Sequence, residues 1–300
     1  MKKLFTFVLI AIVAIFIACG EKNVPSSEEQ SQTDSGKETN SDTTIVNEGE
    51  LIGEFSVSSE IKVHFSKGNL QYQPSSKTYQ FAENQYDYTG IAGNDIIASS
   101  STKWMDLFGW GTGDNPLKTT RTNANYSPYI EWGDSIIING GNIVKMWRTL
   151  TDDEWVYLFR ERTNAENLFG FGTINNIRGL IILPDLWVIP DSITFATSIQ
   201  IGGYWSNDSY TNSNNDNCAH NIYTIEQWKI LESAGAVFLP MAGVRVGAEG
   251  GVSNVGSSGR YWSSSSYNSD KAYVVVFNET YFLPQQKTDR YYGHSVRLVR

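Results

Sequence analysis

Two helix starts stand out in this chain, and they constrain its fold more than any other feature. Thr151 is followed three residues later by Glu154, and Thr224 is followed by Gln227, so each pair has the spacing of a capping box. Apolar side chains then recur on one face of each helix, and Gly235 ends the second helix. The surrounding sequence shows short alternating stretches instead. We therefore predict an α+β protein with short antiparallel strands, two main helices and long loops.

Strand patterns lie on both sides of these helices. Residues 54–57 and 62–66 alternate with a period of two and are separated by a short polar turn, which predicts a hairpin. Residues 70–73 alternate in the same way. Two apolar runs, 179–184 and 236–240, each end at a proline and are predicted as buried strands.

The N-terminus has the pattern of a bacterial signal peptide. Lys2 and Lys3 precede an apolar run over residues 4–18, which is shorter than the ~20 residues of a membrane-spanning helix. Small residues just before Cys19 resemble a lipobox, in which the cysteine becomes the lipid-modified N-terminus. The alternative is ordinary secretion with Cys19 unmodified. We predict a signal peptide over residues 1–18 and lipidation at Cys19.

The composition changes abruptly after the signal peptide. Residues 20–50 contain eight acidic side chains and two lysines, with almost no apolar residue. Such a segment buries too little surface to offset its conformational entropy, so residues 19–50 are predicted to be a lipidated, disordered acidic tether. The net charge of −9 and the absence of Lys and Arg clusters argue against a nucleic-acid partner. Residues 51–300 contain no second linker-like stretch, which predicts one domain.

Patterns of catalysis and metal binding are sparse. Apart from Cys19, Cys218 is the one cysteine, so no internal disulfide or thiolate metal cluster is expected. Cys218 lies in an Asn-rich stretch and is expected to be an exposed or half-buried structural thiol. The histidines His64, His220 and His294 have no metal-ligand spacing. We predict no enzyme, no metal site and no cofactor.

The region 81–133 is rich in aromatic residues and glycine, without helical spacing. We predict loop-rich packing there.

Three motifs resemble one known fold. Residues 147–155, WRTLTDDEW, are similar to the RLPTEAEWE helix start of C-type-lectin-like domains of the formylglycine-generating-enzyme type. Residues 259–264, GRYWSS, resemble the YWSS strand of these domains, and residues 293–300, GHSVRLVR, resemble their terminal GFRLVR strand. The resemblance implies a single C-type-lectin-like domain over residues 51–300. The copper site of those enzymes needs more than one thiol, so their chemistry is not implied here.

From about residue 55 to residue 300 the chain also resembles surface lipoproteins of gut Bacteroidetes, which are related to the Fibrobacter-type major paralogous domain. FSKGNLQYQPSSKTYQFAENQYDY and WRTLTDDEWVYLF are typical segments of that set. Some members are variable proteins of diversity-generating retroelements, whose C-terminal tract is rewritten at Asn, Tyr, Ser and Asp positions. The resemblance implies a lipid-anchored protein of the outer membrane or cell surface that binds a ligand through its C-terminal tract.

The C-terminal tract, residues 260–300, combines large amphipathic rings with small polar residues, a composition that antibody loops also use for binding. Arg297 and Arg300 are predicted to belong to the strand that closes the fold. Alternating or apolar positions are predicted to face the core, namely Trp262, Tyr273, Val275, Phe277, Val296 and Leu298. Turn and strand-edge positions are predicted to contact the ligand, namely Arg260, Tyr267, Asn268, Asp270, Asn278, Tyr281, Lys287, Asp289, Arg290, Tyr291 and His294.

The sequence leaves the ligand class open between a protein and a glycan. Tyr267, Tyr281 and Tyr291 are predicted to anchor it, because a few aromatic contacts usually dominate affinity. Two alternatives remain, a carbohydrate-binding module and a structural or fimbria-associated envelope lipoprotein. Calcium is used by many lectins of this fold, but the acidic residues of the tract form no recognisable calcium loop.

Overall fold

The fold is described from a computed structural model, which covers residues 48–89, 98–212, 216–246 and 251–300. The predicted signal peptide, Cys19 and the tether up to residue 47 lie outside the described residues. Residues from Glu48 onward belong to a single compact unit. Within the described ranges, no helix has the length and apolar character needed to cross a membrane.

The first helix, α1, spans Asp152–Val156 and continues into a wider π-helical turn over Tyr157–Glu161. The Thr151 hydroxyl accepts a hydrogen bond from the Glu154 N–H at 3.1 Å. In return, the Glu154 carboxylate accepts one from the Thr151 N–H at 2.8 Å. These two bonds satisfy backbone groups that a helix start leaves without partners. The predicted capping box is confirmed.

The second helix, α2, spans Ile225–Ser233 and is capped in the same way. The N–H of Gln227 donates to the Thr224 hydroxyl at 3.3 Å, and the Thr224 N–H donates to the Gln227 side chain at 3.0 Å. Trp228 lies on the buried face of the helix. Gly235 follows with a φ of +97°, a left-handed conformation that glycine adopts without steric cost, and it ends the helix as predicted.

The strands are short and mostly antiparallel. Those before residue 200 are β1 (Phe55–Ser56), β2 (Lys62–Val63), β3 (Leu70–Gln73), β4 (Thr78–Phe81), β5 (Arg148–Thr149), β6 (Phe169–Ile174) and β7 (Ile177–Ile182). Those after it are β8 (Gly203–Ser206), β9 (Ser209–Asn212), β10 (Ile222–Tyr223), β11 (Val237–Pro240), β12 (Val244–Val246), β13 (Gly251–Ser253), β14 (Gly259–Ser266), β15 (Lys271–Phe277), β16 (Tyr281–Asp289) and β17 (Leu298–Val299). With the two helices, they make the described part of the chain a mixed α+β protein.

Two sheets organise the described residues. A five-stranded antiparallel sheet has the order β14, β15, β16, β9 and β8, and a four-stranded sheet has the order β10, β6, β7 and β11. The β10–β6 pair is parallel, whereas β7 and β11 pair antiparallel. The pairs β1–β2, β3–β4, β5–β17 and β12–β13 form smaller sheets.

Most strand predictions agree with this topology. The predicted hairpin of residues 54–66 is the β1–β2 pair, with shorter strands than expected, and residues 70–73 form β3. The two apolar runs become β7 and β11, which are adjacent buried strands of the four-stranded sheet. The described part of region 81–133 contains 3-10 turns at Asn123–Tyr126 and Trp132–Asp134 and is otherwise irregular, which confirms loop-rich packing.

Aromatic side chains from both sheets fill the core. Phe159, which follows α1, contacts Phe282 of β16 edge-on, with ring centroids 4.6 Å apart. Phe169 of β6 packs against the same ring at 5.7 Å. Five terminal-tract residues predicted to face the core are fully or almost fully buried, namely Trp262, Val275, Phe277, Val296 and Leu298.

The last strand returns to the N-terminal part of the fold. Leu298 of β17 pairs with Thr149 of β5, and the Arg300 N–H donates to the His64 carbonyl at 3.0 Å. The Arg300 guanidinium lies 3.0 Å from the carboxylate of Glu50. Glu50, predicted as the last residue of the tether, therefore belongs to the folded part, because it is held by the closing strand.

Candidate functional site

The predicted ligand contacts do not form one site. β14, β15 and β16 make an antiparallel meander, so the loops on either side of β15 lie at opposite ends of the sheet. β15 is seven residues long, and its ends are therefore roughly 20 Å apart. Asn268 and Asp270 lie at one end of this strand, whereas Asn278 and Tyr281 lie at the other.

Tyr267, Tyr273 and Lys287 form a cluster at the first end, which we name the aromatic–cation patch. The Tyr267 and Tyr273 rings meet edge-on at 5.5 Å. The Lys287 ammonium lies 4.5 Å from the centre of the Tyr267 ring and 5.7 Å from that of Tyr273. An ammonium at these distances is attracted to the ring faces. Tyr267 is nevertheless 47% exposed, so the patch is held in place while remaining accessible.

Tyr273 belongs to this patch instead of the core. It is partly exposed and lies opposite Lys287 near the end of the strand pair. The prediction that it faces the core is wrong, because the sheet extends past the core at this end. Partial burial and the negative charge of Asp152 raise the pKa of Tyr273, so its phenol is neutral at physiological pH.

The two asparagines shape the loops that carry them. The Asn268 side-chain oxygen accepts hydrogen bonds from the N–H groups of Asp270 at 2.9 Å and Lys271 at 2.7 Å. The Asn278 oxygen accepts from the N–H groups of Thr280 and Tyr281, both at 2.8 Å. These are side-chain turns that close each hairpin. Both residues were predicted to contact the ligand. In the structure their side-chain oxygens accept hydrogen bonds from the backbone of their own loops.

Arg290 braces the end of the sheet. Its guanidinium lies 4.4 Å from the Trp110 ring and donates to the Ser266 hydroxyl at 2.5 Å and to the Asn268 carbonyl. Burial lowers its pKa, and the nearby charge of Asp270 opposes that shift. The side chain is 5% exposed and largely covered by these partners, which leaves little of it for the predicted ligand contact.

A shallow depression of about 530 Å³ adjoins the Arg290 side chain. The lining is small and polar, and it consists of Ala124, Ser127, Ser266, Asn268, Ser269 and Arg290. Asn123, next to this lining, donates to the Asp289 carboxylate at 3.3 Å. Sequence reasoning missed the 123–127 segment, because only the folded chain brings it beside residues more than a hundred positions away.

Asp289 is the last residue of β16, and Tyr291 lies in the turn that follows this strand. The Arg290 N–H donates to the Asp270 carbonyl at 3.2 Å, so this turn is adjacent to the loop of the aromatic–cation patch. The Tyr291 and Tyr292 rings are 4.8 Å apart. Contact with Tyr292, partial burial and the Asp289 charge raise the pKa of Tyr291 to about 12, which keeps this phenol neutral as well.

The remaining predicted contacts lie apart from the patch. Tyr281 is half-buried at the far end of β15 and packs against a cluster of buried apolar residues that includes Trp262 and Val276. His294 is 0% exposed, with its ring 4.4 Å from that of Trp262. The structure therefore gives His294 no exposed surface of its own, and its predicted ligand contact stays a prediction. Arg260 is half-exposed on β14.

The Cys218 thiol is buried and protonated. Cys218 is 1% exposed and packs in a cluster of buried apolar residues that includes Phe171 and Phe282, so the expectation of an exposed or half-buried thiol is wrong. Burial and the neighbouring Asp216 raise the pKa of Cys218 to about 12, which keeps it as an unreactive thiol at neutral pH. Among the described residues, no group of three or more His, Cys, Asp or Glu side chains is placed to hold a metal ion.

One comparison with known proteins gives a match. Residues 196–299 match a family model described as a domain of unknown function, DUF8237. No curated protein and no solved structure matches the chain. The matched segment contains every strand of the five-stranded sheet, from β8 to β16, and with it the aromatic–cation patch.

Proposed function

We propose that this protein is a non-enzymatic, lipid-anchored surface protein with a C-type-lectin-like domain, and that it binds a protein or glycan through the aromatic–cation patch. The resemblance in sequence supports the fold and the anchor. The three motifs fall on α1, β14 and β17, and the first and last are joined by the β5–β17 pair. Cys19 as the lipidated residue stays a prediction from the sequence.

The exposed Tyr267 ring, held by the Lys287 ammonium 4.5 Å away, is the observation that carries the binding proposal. A ring that is already fixed loses little entropy when a ligand packs on it, so more of the contact energy appears as affinity. Asp270 and Lys271 are exposed beside it and supply charges of both signs. The neighbouring depression gives room for small polar contacts.

The proposal is tested by comparing full-length wild-type protein with Tyr267→Ala and Tyr204→Ala. Tyr204 is the matched control, since it is 55% exposed on β8 at the opposite edge of the same sheet. All three proteins are applied to a glycan array and to surface extracts of neighbouring cells, and the affinity of each bound ligand is then measured. We expect Tyr267→Ala to weaken binding by about tenfold or more, and Tyr204→Ala to leave it unchanged.

Equal binding by Tyr267→Ala and wild type would contradict the patch as the site. Unchanged thermal unfolding of Tyr267→Ala shows that a lost ligand does not reflect a lost fold. Signals confined to the glycan array would favour the carbohydrate-binding module, and a captured protein would favour recognition of a protein surface.

A structural role in an envelope assembly is a second candidate, favoured by a different surface. The loop between β7 and β8 exposes Leu186 at 86% and Val188 at 79%, and such apolar exposure is typical of contacts between proteins. A stoichiometric partner that binds Tyr267→Ala as well as wild type would support this candidate.

A further inference from the structure

A cluster of basic side chains surrounds the segment before the closing strand. Gly293 and Arg245 exchange backbone hydrogen bonds, both at 2.9 Å, and the Ser295 N–H donates to the Arg260 carbonyl at 3.0 Å. His294 lies between Gly293 and Ser295, and its backbone is hydrogen-bonded to that of Phe108. The backbone pairing therefore brings two arginines, 245 and 260, beside one histidine.

The His294 ring has an unmet hydrogen-bonding capacity. The residue is 0% exposed, and neither ring nitrogen has a hydrogen-bond partner. A buried polar group without a partner is costly, so native proteins rarely leave one without a hydrogen bond. Burial, and then the positive charges of Arg260 and Arg245, lower the pKa of His294 well below its usual value. The neutral ring thus retains one N–H donor inside an electropositive site.

The two arginines add positive charge near the ring, and the Arg245 Nε donates to the Leu107 carbonyl at 3.3 Å. The Arg260 Nε is buried and has no hydrogen-bond partner, and among the described residues no carboxylate lies within ion-pairing distance of Arg260 or His294. Arg245 is 3% exposed, and its side chain packs closely on Gly293. A side chain at position 293 would place its Cβ only 2.7 Å from the Arg245 Nε. Arg260 and Tyr292 are partly exposed, so the cluster adjoins the surface.

We propose that Arg245, Arg260 and His294 form a binding site for an oxyanion, that is, a carboxylate, sulfate or phosphate group. Guanidinium groups bind such anions through charge-assisted and often paired hydrogen bonds, which suits two arginines whose backbones pair with the residues on either side of His294. A bound anion would accept hydrogen bonds from the His294 ring and the Arg260 Nε, which lack partners, and it would neutralise positive charge inside the fold. The site is separate from the aromatic–cation patch and does not depend on the function proposed for that patch.

The experiment follows the histidine rings by NMR in full-length protein labelled with 15N-histidine. The chain has three histidines, so single substitutions of His64 and His220 assign all the ring signals. Sodium sulfate is titrated at constant pH and at an ionic strength kept constant with chloride. We expect the His294 ring signals to shift along a saturable curve, while His64 and His220 show no matching saturation.

Arg260→Gln tests the assignment, with Arg121→Gln as the matched control because Arg121 is an exposed arginine. We expect Arg260→Gln to weaken sulfate binding by at least about tenfold and Arg121→Gln to leave it unchanged. Backbone amide signals of Arg260→Gln that match those of the wild-type protein would show that the fold is retained.

Parallel titrations with phosphate and with glucuronate distinguish two sources of the anion. Tighter binding of glucuronate would identify the acidic group of a sugar, and equal or tighter binding of the inorganic ions would identify a free ion. Absence of any saturable His294 shift with all three probes, or an equal loss of binding in both arginine variants, would overturn the proposal.

Discussion

At the scale of single residues, the ion pair between Arg162 and Asp185 gives a sharp prediction. The two side chains are 1% and 17% exposed and their charged atoms are 3.1 Å apart. Ser56 also donates to the carboxylate, from its hydroxyl at 2.6 Å and from its N–H at 3.0 Å. Asp185→Asn leaves a buried arginine without its counter-charge, so we expect the free energy of unfolding to fall by about 3 kcal/mol in urea titrations. Asp208→Asn is the control, because that carboxylate pairs with Arg160 while 82% exposed, and a loss of under about 1 kcal/mol is expected.

The same ion pair predicts how this difference depends on pH. Burial alone would raise the pKa of Asp185, but hydrogen bonds from Ser56 and the charge of Arg162 outweigh it, so the folded pKa lies below the usual value. A carboxyl group with a lowered folded pKa stabilises the protein above its unfolded pKa of about 3.9, and this contribution disappears as pH falls through the folded pKa. The stability gap between wild type and Asp185→Asn should therefore be full at neutral pH and shrink in strong acid. A gap that stays constant down to about pH 2 would contradict the assigned role.

Single residues also show where sequence reasoning stops. Asn268 and Asn278 precede short polar loops, and that local pattern indicates side-chain turns, so their role could have been found from the sequence. The burial of Arg290 and His294 has no such local signal. It depends on Trp110 and Phe108, which lie more than 150 positions earlier in the chain.

At the scale of elements, the two helix starts were predictable because a capping box is local. Its donors and acceptors are three residues apart, so sequence spacing alone specifies the geometry. Strand pairing is different. β17 pairs with β5 and β9 pairs with β16, and no short-range pattern selects such partners. The strands themselves could therefore be predicted better than the sheets they form.

The capping box of α2 predicts a measurable coupling. Thr224→Ala removes the hydroxyl that accepts from the Gln227 N–H, and we expect it to cost about 1 kcal/mol of unfolding free energy. Gln227→Ala removes the reciprocal bond, so the double variant should lose less than the sum of the two single losses. Ser233→Ala in the last turn of α2 is the control, with an expected change within about 0.5 kcal/mol. Strict additivity in chemical denaturation would contradict the reciprocal cap.

At the scale of the whole molecule, apolar residues from both halves of the described chain pack in the same clusters, although the family match covers residues 196–299. Phe282 of β16 packs on Phe159, and the Trp262 indole donates to the Phe108 carbonyl at 2.6 Å. Both partners lie outside the matched segment. The five-stranded sheet thus depends for its packing on residues from the first half of the chain.

This shared core predicts that the matched segment does not fold alone. A fragment of residues 196–299 loses the residues that pack against β14, β16 and β17, so its apolar face is exposed to water. We therefore expect no cooperative thermal transition and no near-ultraviolet circular dichroism from Trp262. A chain of residues 48–300 serves as the control and should unfold in a single transition, because the apolar clusters are built from both halves. A cooperative transition in the fragment would show that β8 to β16 form an independent unit, and the burial of Phe282 and Trp262 against the first half would then be a docking contact between two units.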